Sequence, residues 1–415
     1  MANTLLTISK ITNEALMVLE NELTFTSEVD RNYDDQFAVV GGKIGATVNV
    51  RRPGRFIGTT GPALNVEDFN ETSVPVTLST QFHVDTQFTT QDLALSLDMF
   101  SDRVLKPAVA AIANKIDRDG LYMAKNSTAN IVGTPGTPPT GLITYLSAQA
   151  YLDSEGAPRD GRRSCTVDQW SSATIVDSLK GLFVPQEAIG EQYRKGLMGR
   201  DSGGMNWKLD QNVQVQNFGT WTGGTAGSIT VNGANQGLSS GWAQTSTLNL
   251  TSSAAGTWQQ GDVFSIAGVY AVNPQNRQSY GKLRTFNVQA VTALPNGNFS
   301  VTVVPALIYA GQFQNCSASP ASGATVTPYN MGLSGVSQAS PQSIIMHRNA
   351  FTLAVADLEL PEGVHFAGRA SDKEIGLSMR VVRQYTINND SIPTRLDVLY
   401  GWAPLYQELA CRVAS

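Results

Sequence analysis

The chain has 415 residues, a formal net charge of −5 and 41% hydrophobic residues, which is enough for two or three domains with a sizeable core and too apolar for a disordered polymer. Charged residues make up only 15%, below the roughly 25% usual in globular domains, and mild acidity gives no global attraction for nucleic acid. Cys165, Cys316 and Cys411 are far apart and form no Cys-x-x-Cys pair, which argues against a disulfide scaffold and a zinc site and predicts buried apolar thiols.

In chain order, Ile8, Ile11, Ala15, Val18 and Leu19 fall near helical spacing with Asn13, Glu14, Glu20 and Glu22 between them. This predicts an amphipathic helix rather than a signal peptide. No run of about 18 apolar residues occurs, so no membrane span is expected. The protein is expected to be made and assembled inside a cell. After the acidic Glu28–Asp35 segment, Val48 and Val50 begin a strand that runs into Arg51, Arg52 and Arg55; Glu67, Asp68 and Glu71 follow. From Val74 to Phe88 the alternation is clean, with Val74, Val76, Leu78, Phe82, Val84 and Phe88 on one face and Gln81, His83, Asp85 and Gln87 on the other, which predicts one long half-buried strand. Two strands flanking a turn-rich excursion make an extended arm that is marginal alone and needs covering surface. The six charged residues Arg51, Arg52, Arg55, Glu67, Asp68 and Glu71 are the candidate inter-subunit contacts.

Leu97, Phe100, Val104, Ala108, Ile112 and Ile116 recur every three to four residues, so a long helix is expected over Ser96–Lys125, kinked or restarted at Pro107 and weakened near Gly120. A loop (Gly133–Gly141) and a mixed section follow, with a helix near Ser172–Leu182. Between Asp210 and Asp262 there is no charged residue. Strands are expected at Val213–Phe218, Ser228–Val231, Thr247–Leu250, Val263–Val269, Thr285–Val291 and Phe299–Val304, the last two joined through Pro295-Asn296-Gly297. Six short strands suggest a small barrel. Charged α/β sequence resumes after about Val336 and closes with strands at Met379–Ile387 and Leu396–Tyr400. The barrel is therefore read as an insertion in one α+β domain.

Asp201-Ser202-Gly203-Gly204 looks like the nucleophile loop of chymotrypsin-like proteases, which need a His and an Asp beside the Ser. Arg200 departs from that pattern, and His83, the only upstream histidine, sits on the polar face of a strand. The string is read as a turn. Val39–Val48 lacks a phosphate-loop pattern, the pairs Asp34/Asp35 and Asp117/Asp119 sit in ordinary charged stretches, and no cluster has metal-ligand spacing. No catalytic residue, cofactor or metal is expected.

The order of helix, arm, long strand, long helix, α+β section, inserted barrel and return resembles tailed-phage major capsid proteins with the Hong Kong 97 fold. It is most similar to the P-twenty-two-type coats with an inserted β-barrel. The most specific stretch is GDVFSIAGVYAVNPQNRQSYGKLRTFNVQAVTALPNGNFSVTVVPAL, Gly261–Leu307, which looks like that family's insertion domain. Gly41–Phe88 is similar to its E-loop and flanking strand, and Ser96–Lys125 corresponds to its spine helix. The resemblance implies an arm at 1–40, the E-loop and long strand at 41–90, and the spine helix at 91–127. It places an axial-type α+β part at 128–218, the barrel at 219–337, and the return with C-terminal strands at 338–415. It implies a structural homo-oligomer, not an enzyme, forming hexamers and pentamers of an icosahedral shell in the virion after assembly in the host cytoplasm. Expected partners are a scaffolding protein, a portal protein, in some shells a decoration protein, and packaged double-stranded DNA held without sequence-specific binding. The uncharged span from Gln211 to Gln260 departs from coats that use charged insertion loops at two-fold axes. The alternative is a β-rich decoration, tail or adhesin protein, which gives no role to the long helix beside an arm.

Overall fold

A computed structural model describes residues 19, 23–31, 45–89, 106–178, 203–220, 229–253, 256–295, 297–330, 339–372, 377–389 and 391–415. The expected amino-terminal helix, the Ser96–Leu105 part of the long helix, Ser202 and the Asp34/Asp35 pair lie outside them. The chain divides into two compact units: Met1–Val50 with Pro75–Gly120 and Phe351–Ala403, and Arg51–Val74 with Leu121–Ala350 and Pro404–Ser415.

In the first unit, the strand Ser391–Pro404 is central. It lies between Phe351–Ala356 and Leu377–Arg383, with Phe366–Asp372 beyond, and it also pairs with Thr80–Thr89. That last pairing is antiparallel and runs from Ser391 opposite Thr89 to Tyr400 opposite Thr80. The Val74–Phe88 alternation holds, with Val74, Val76 and Leu78 buried and His83, Asp85 and Gln87 exposed, but the single long strand does not. It breaks into Thr72–Thr77 and Thr80–Thr89. The chain changes partner at the break: Leu78 still exchanges backbone hydrogen bonds with Gly45 and Ala46, and from Thr80 the ladder belongs to Ser391–Pro404. Gly401 permits this close passage, since a Cβ there would stand 2.0 Å from the Thr77 carbonyl oxygen.

Helix α1, Lys106–Ser127, carries Pro107 at the beginning of its described part. Its buried stripe is Val109, Ile112, Ala113 and Ile116, the spacing the sequence shows. Asp117 departs from the solvated reading: it is buried. Its carboxylate accepts the backbone N–H groups of Thr24 and Thr26 at 2.8 and 3.0 Å and both threonine hydroxyls, which ties the 3-10 turn Thr26–Glu28 to the helix. Asp119 accepts the Tyr400 hydroxyl at 2.7 Å and pairs with Lys115.

In the second unit, a sheet in the order Ile131–Gly133, Ala410–Ala414, Ala339–His347, Arg163–Val167, Asn206–Leu209 carries helix α2, Leu142–Ser154, and helix α3, Gln169–Ser178. Tyr145, Ala148 and Leu152 of α2 pack with Ile175, Cys165, Trp207 and Cys411 in one core. Asp168 caps α3 by accepting the Ser171 N–H at 3.0 Å, as a short carboxylate does at a helix start. All three cysteines are free and buried.

The barrel is a six-stranded antiparallel sheet in the order Val326–Pro328, Val263–Val272, Ser279–Ala293, Asn298–Val304, Ser246–Ser252, Ile229–Val231. Its two edges meet through the Thr230–Thr325 bridge and the Val231 N–H to Ala324 bond, so the sheet nearly closes. The hairpin through Gly297 pairs Ala293 with Phe299. Trp258, Phe264 and Phe286 fill the interior with ring centroids 5.3 and 5.8 Å apart. One strand assignment is corrected: Val215–Asn217 pairs with Ala339–Pro341 outside the barrel, and the sixth barrel strand is Val326–Pro328, too short to show a period.

Gly120 lies inside α1, and a Cβ there would meet the Trp402 ring at 2.5 Å. Gly120→Ala should therefore destabilise the first unit by about 1–3 kcal/mol through overpacking, against the roughly 1 kcal/mol gain alanine brings to an open helix site. Denaturant unfolding checks this, and a stabilised variant would contradict the packing.

Candidate functional site: an arm seated on the inserted barrel

The arm is the two-stranded sheet of Thr47–Arg52 and Thr72–Thr77 with the excursion between them. Its outer part, 53–71, carries no regular ladder but is closed by its own side chains. Glu67 accepts the Ile57 N–H at 2.6 Å, and the Phe56 and Phe69 rings stack with centroids 5.8 Å apart. Arg51 and Glu71 pair across the arm at 3.3 Å in the open, with side chains 81% and 43% exposed, so the pair adds at most about 1 kcal/mol.

The root is different. Arg52 is buried, with its guanidinium 4.4 Å from the Tyr406 ring centroid and 5.2 Å from that of Trp242, an arrangement favourable to a cation. It donates to Glu408 at 2.6 Å, and Arg55 donates to the same carboxylate oxygen at 3.2 Å. Burial opposes the charge on Glu408, but Arg52 and Arg55 outweigh it and hold the carboxyl below the usual range. Farther out, the barrel grips backbone: Arg277 donates to the Phe56 carbonyl and the Gln312 amide to that of Asp68, at 3.2 and 2.7 Å. Of the six charged residues singled out, Arg52 and Arg55 thus meet on Glu408, while Arg51, Glu67 and Glu71 serve the arm itself. Glu408, Tyr406, Trp242, Arg277 and Gln312 went unseen because the contact spans hundreds of residues (Arg52 to Glu408 is |i−j| = 356) and leaves no local spacing.

The barrel in turn is fixed by its few charges. The span 219–337 contains only Asp262, Arg277, Lys282 and Arg284. Arg284 forms a buried ion pair with Glu155 at the end of α2, which also accepts the Tyr280 hydroxyl; burial works against the guanidinium charge, but Glu155 keeps it firmly protonated. Asp262 accepts the backbone N–H groups of Gly219 and Gln259 and the Gln216 amide at 2.8–3.0 Å. Gln216 also accepts from Lys125 at 2.6 Å. Buried Arg412 donates to the Gly261 carbonyl at 3.0 Å. Asn287 donates to the carbonyls of Lys125 and Thr128, satisfying acceptors that the end of α1 leaves open.

Ser202 lies outside the described residues, and the loop beside it and each histidine have local partners of their own. Gly203 and Gly204 form a turn at φ +66° and +79°, with the Gln149 amide on the Gly203 carbonyl. His83 is exposed beside Asp85 at 3.0 Å, His347 is buried against Asp160, and His365 meets the Tyr385 ring at its edge.

A long helix, a partly exposed arm, an α+β sheet unit and a nearly closed barrel between its strands define a capsid protein of a tailed phage with the Hong Kong 97 fold. The chain matches the P22 coat protein family (gene protein 5) over residues 1–410 and belongs to it. That makes it a major coat protein that assembles with copies of itself into the virion shell, a structural role and not an enzymatic one. Among solved structures, the chain is similar to one from Mycobacterium phage Che8 at 10% identity, covering 94% of this chain and 90% of that one with a TM-score of 0.45. The capsid of Ralstonia phage GP4 is similar at 7% identity, with 94% and 88% coverage and a TM-score of 0.45. The CUS-3 coat protein I-domain matches at 26% identity over 26% of this chain and 99% of its own length, with a TM-score of 0.21. No curated protein matches the chain.

Lys125 offers a test of the barrel's anchor. Burial and the nearby charge of Arg412 lower its pKa to about 8, with Asp262 opposing. Above that value the folded chain has released a proton that the unfolded chain still binds, so stability rises with pH toward the ordinary lysine range and is lost as pH falls through 8. Relative to Lys125→Met, the native chain should gain about 1 kcal/mol between pH 8 and 9. Denaturant midpoints at the two pH values measure this; a constant difference would mean that Lys125 keeps its proton.

Proposed function

We propose that copies of this coat protein form pentamers and hexamers of an icosahedral shell, assembled in the host cytoplasm with a scaffolding protein around a portal. The shell then expands as double-stranded DNA is packaged. We divide the chain for this purpose at the boundaries given above, with the arm at 41–90 and the barrel at 219–337. The observation that carries the reading is the arm's apolar tip. Leu64 and Val66 are 91% and 78% exposed, and Phe56 and Phe69 61% and 58%. Four large apolar side chains on one thin segment need a covering surface, and in a shell a neighbouring copy supplies it. The exposed Arg51–Glu71 pair and Asp68 belong to the same segment, and exposed charges beside an apolar contact steer orientation more than they add affinity. A net charge of −5 suits a wall that contains DNA without gripping it.

Excising Arg51–Glu71 should abolish shells in electron micrographs of protein co-expressed with its scaffold while leaving a folded, soluble chain. The double variant Leu64→Asp, Val66→Asp should do the same with the root intact. Normal shells from both variants would refute the arm as the inter-subunit contact.

A further inference from the structure

The tip of the arm faces solvent, yet its root is buried in its own chain. The two tiers of this seat differ in chemistry. At the root, one carboxylate, Glu408, answers two guanidiniums, Arg52 and Arg55, and the Arg52 plane is held against Tyr406 and Trp242. Farther out, Arg277 and Gln312 hold the carbonyls of Phe56 and Asp68, and Asn70 donates to Gln312 at 3.3 Å. Glu408 itself stands on the 3-10 turn Gln407–Leu409, directly before the last strand. That strand's pairing with Ile131–Gly133 and Ala339–His347 fixes the carboxylate against a rigid sheet. A two-stranded ribbon has little stiffness of its own, so the direction of the tip depends on how firmly its root is held.

We propose that Glu408 is a positioning residue for assembly: it clamps the arm root to its own chain before a neighbour arrives and so sets the line along which the tip is presented. This rests on the reading of the tip as the inter-subunit contact. The clamp is built before assembly, because every group in it comes from one chain. It replaces an entropic search by the arm with a fixed approach, which lowers the cost of association. Loss of the Glu408 charge would leave two guanidiniums, one of them buried, without their shared anion, a larger penalty than loss of either arginine alone. The charged groups facing Glu408 are Arg52 and Arg55 from the arm, with Glu155 from the end of α2 and Arg284 from the barrel around the same cavity. Arg52 and Arg55 favour the ionised carboxylate and Glu155 opposes it. The clamp is therefore held at neutral pH and opens when acid protonates Glu408 below the usual carboxylate range.

The test is hydrogen exchange on the full-length, unassembled chain, followed by peptide, for the native protein and for Glu408→Gln, Glu408→Asp and Arg55→Gln. In Glu408→Gln, amides of Thr47–Arg52 and Thr72–Thr77 should exchange at least ten-fold faster, while barrel peptides over Val263–Val304 stay protected and so certify the fold. Glu408→Asp and Arg55→Gln should fall between. After correction for intrinsic rates, the native arm should loosen in acid and the Glu408→Gln arm should show no such step, a difference that mere loss of packing would not produce. The scaffold-assisted assembly rate should fall several-fold in Glu408→Gln. An arm equally protected in native and Glu408→Gln proteins would overturn the clamp. A loosened arm with an unchanged assembly rate would overturn the positioning role, while loss of shells in Leu64→Asp, Val66→Asp, which keeps Arg52, Arg55 and Glu408, would leave the tip reading intact. Normal assembly of Leu64→Asp, Val66→Asp would overturn that reading, and the positioning role with it.

Discussion

A charge removed from water must be answered by an opposite charge or by several hydrogen bonds, or folding loses several kilocalories per mole. The second unit of this coat protein is organised around that requirement. Its barrel has an uncharged exterior over long stretches and could slide against the sheet beneath it if apolar contact alone held it. Instead Arg284 reaches Glu155 at the end of α2, Asp262 gathers two backbone N–H groups and the Gln216 amide, and Arg412 and Lys125 sit within its field. Such contacts have one geometry in which every group is satisfied. They fix where the barrel sits rather than how strongly it is held.

The arm uses the same device with a different outcome. Arg52 and Arg55 spend their charge on Glu408 inside the chain, and the outward side of the arm is left to Leu64, Val66, Phe56 and Phe69. In the proposed reading, ionic contacts orient the segment and its apolar area is left for association. That division suits a subunit that must stay soluble before assembly yet meet a neighbour in one register, since a thin apolar tip on a directed arm exposes little surface until a matching one appears.

Much of this architecture was legible in the sequence where the chain repeats a period. The recurrence of Ala108, Ile112 and Ile116 gives α1, the alternation around Val76 and Val84 gives the strands, and Pro295 to Gly297 gives a hairpin, because burial of one face imposes 3.6- or 2-residue spacing locally. The break at Leu78 was not legible: alternation continues straight through it, and only the change of partner from Thr47–Arg52 to Ser391–Pro404 interrupts the ladder. Val326–Pro328 was missed for the opposite reason, being too short to show a period. The composition of Val213–Phe218 matches barrel strands, but the strand it contains, Val215–Asn217, pairs with Ala339–Pro341.

The candidate interface shows the same limit. Of the six candidate contact residues, Arg52 and Arg55 pair with Glu408 of their own chain. By itself the sequence determined which segments bury a face and where the uncharged span from Gln211 to Gln260 lies. Only the tertiary structure decided which buried charge answers which, because the partners of Glu408 and Arg284 lie 356 and 129 residues away and those of Asp262 include Gln216, 46 residues away. Electrostatic pairing acts through space at a few ångströms, and a linear chain does not display that distance until it folds.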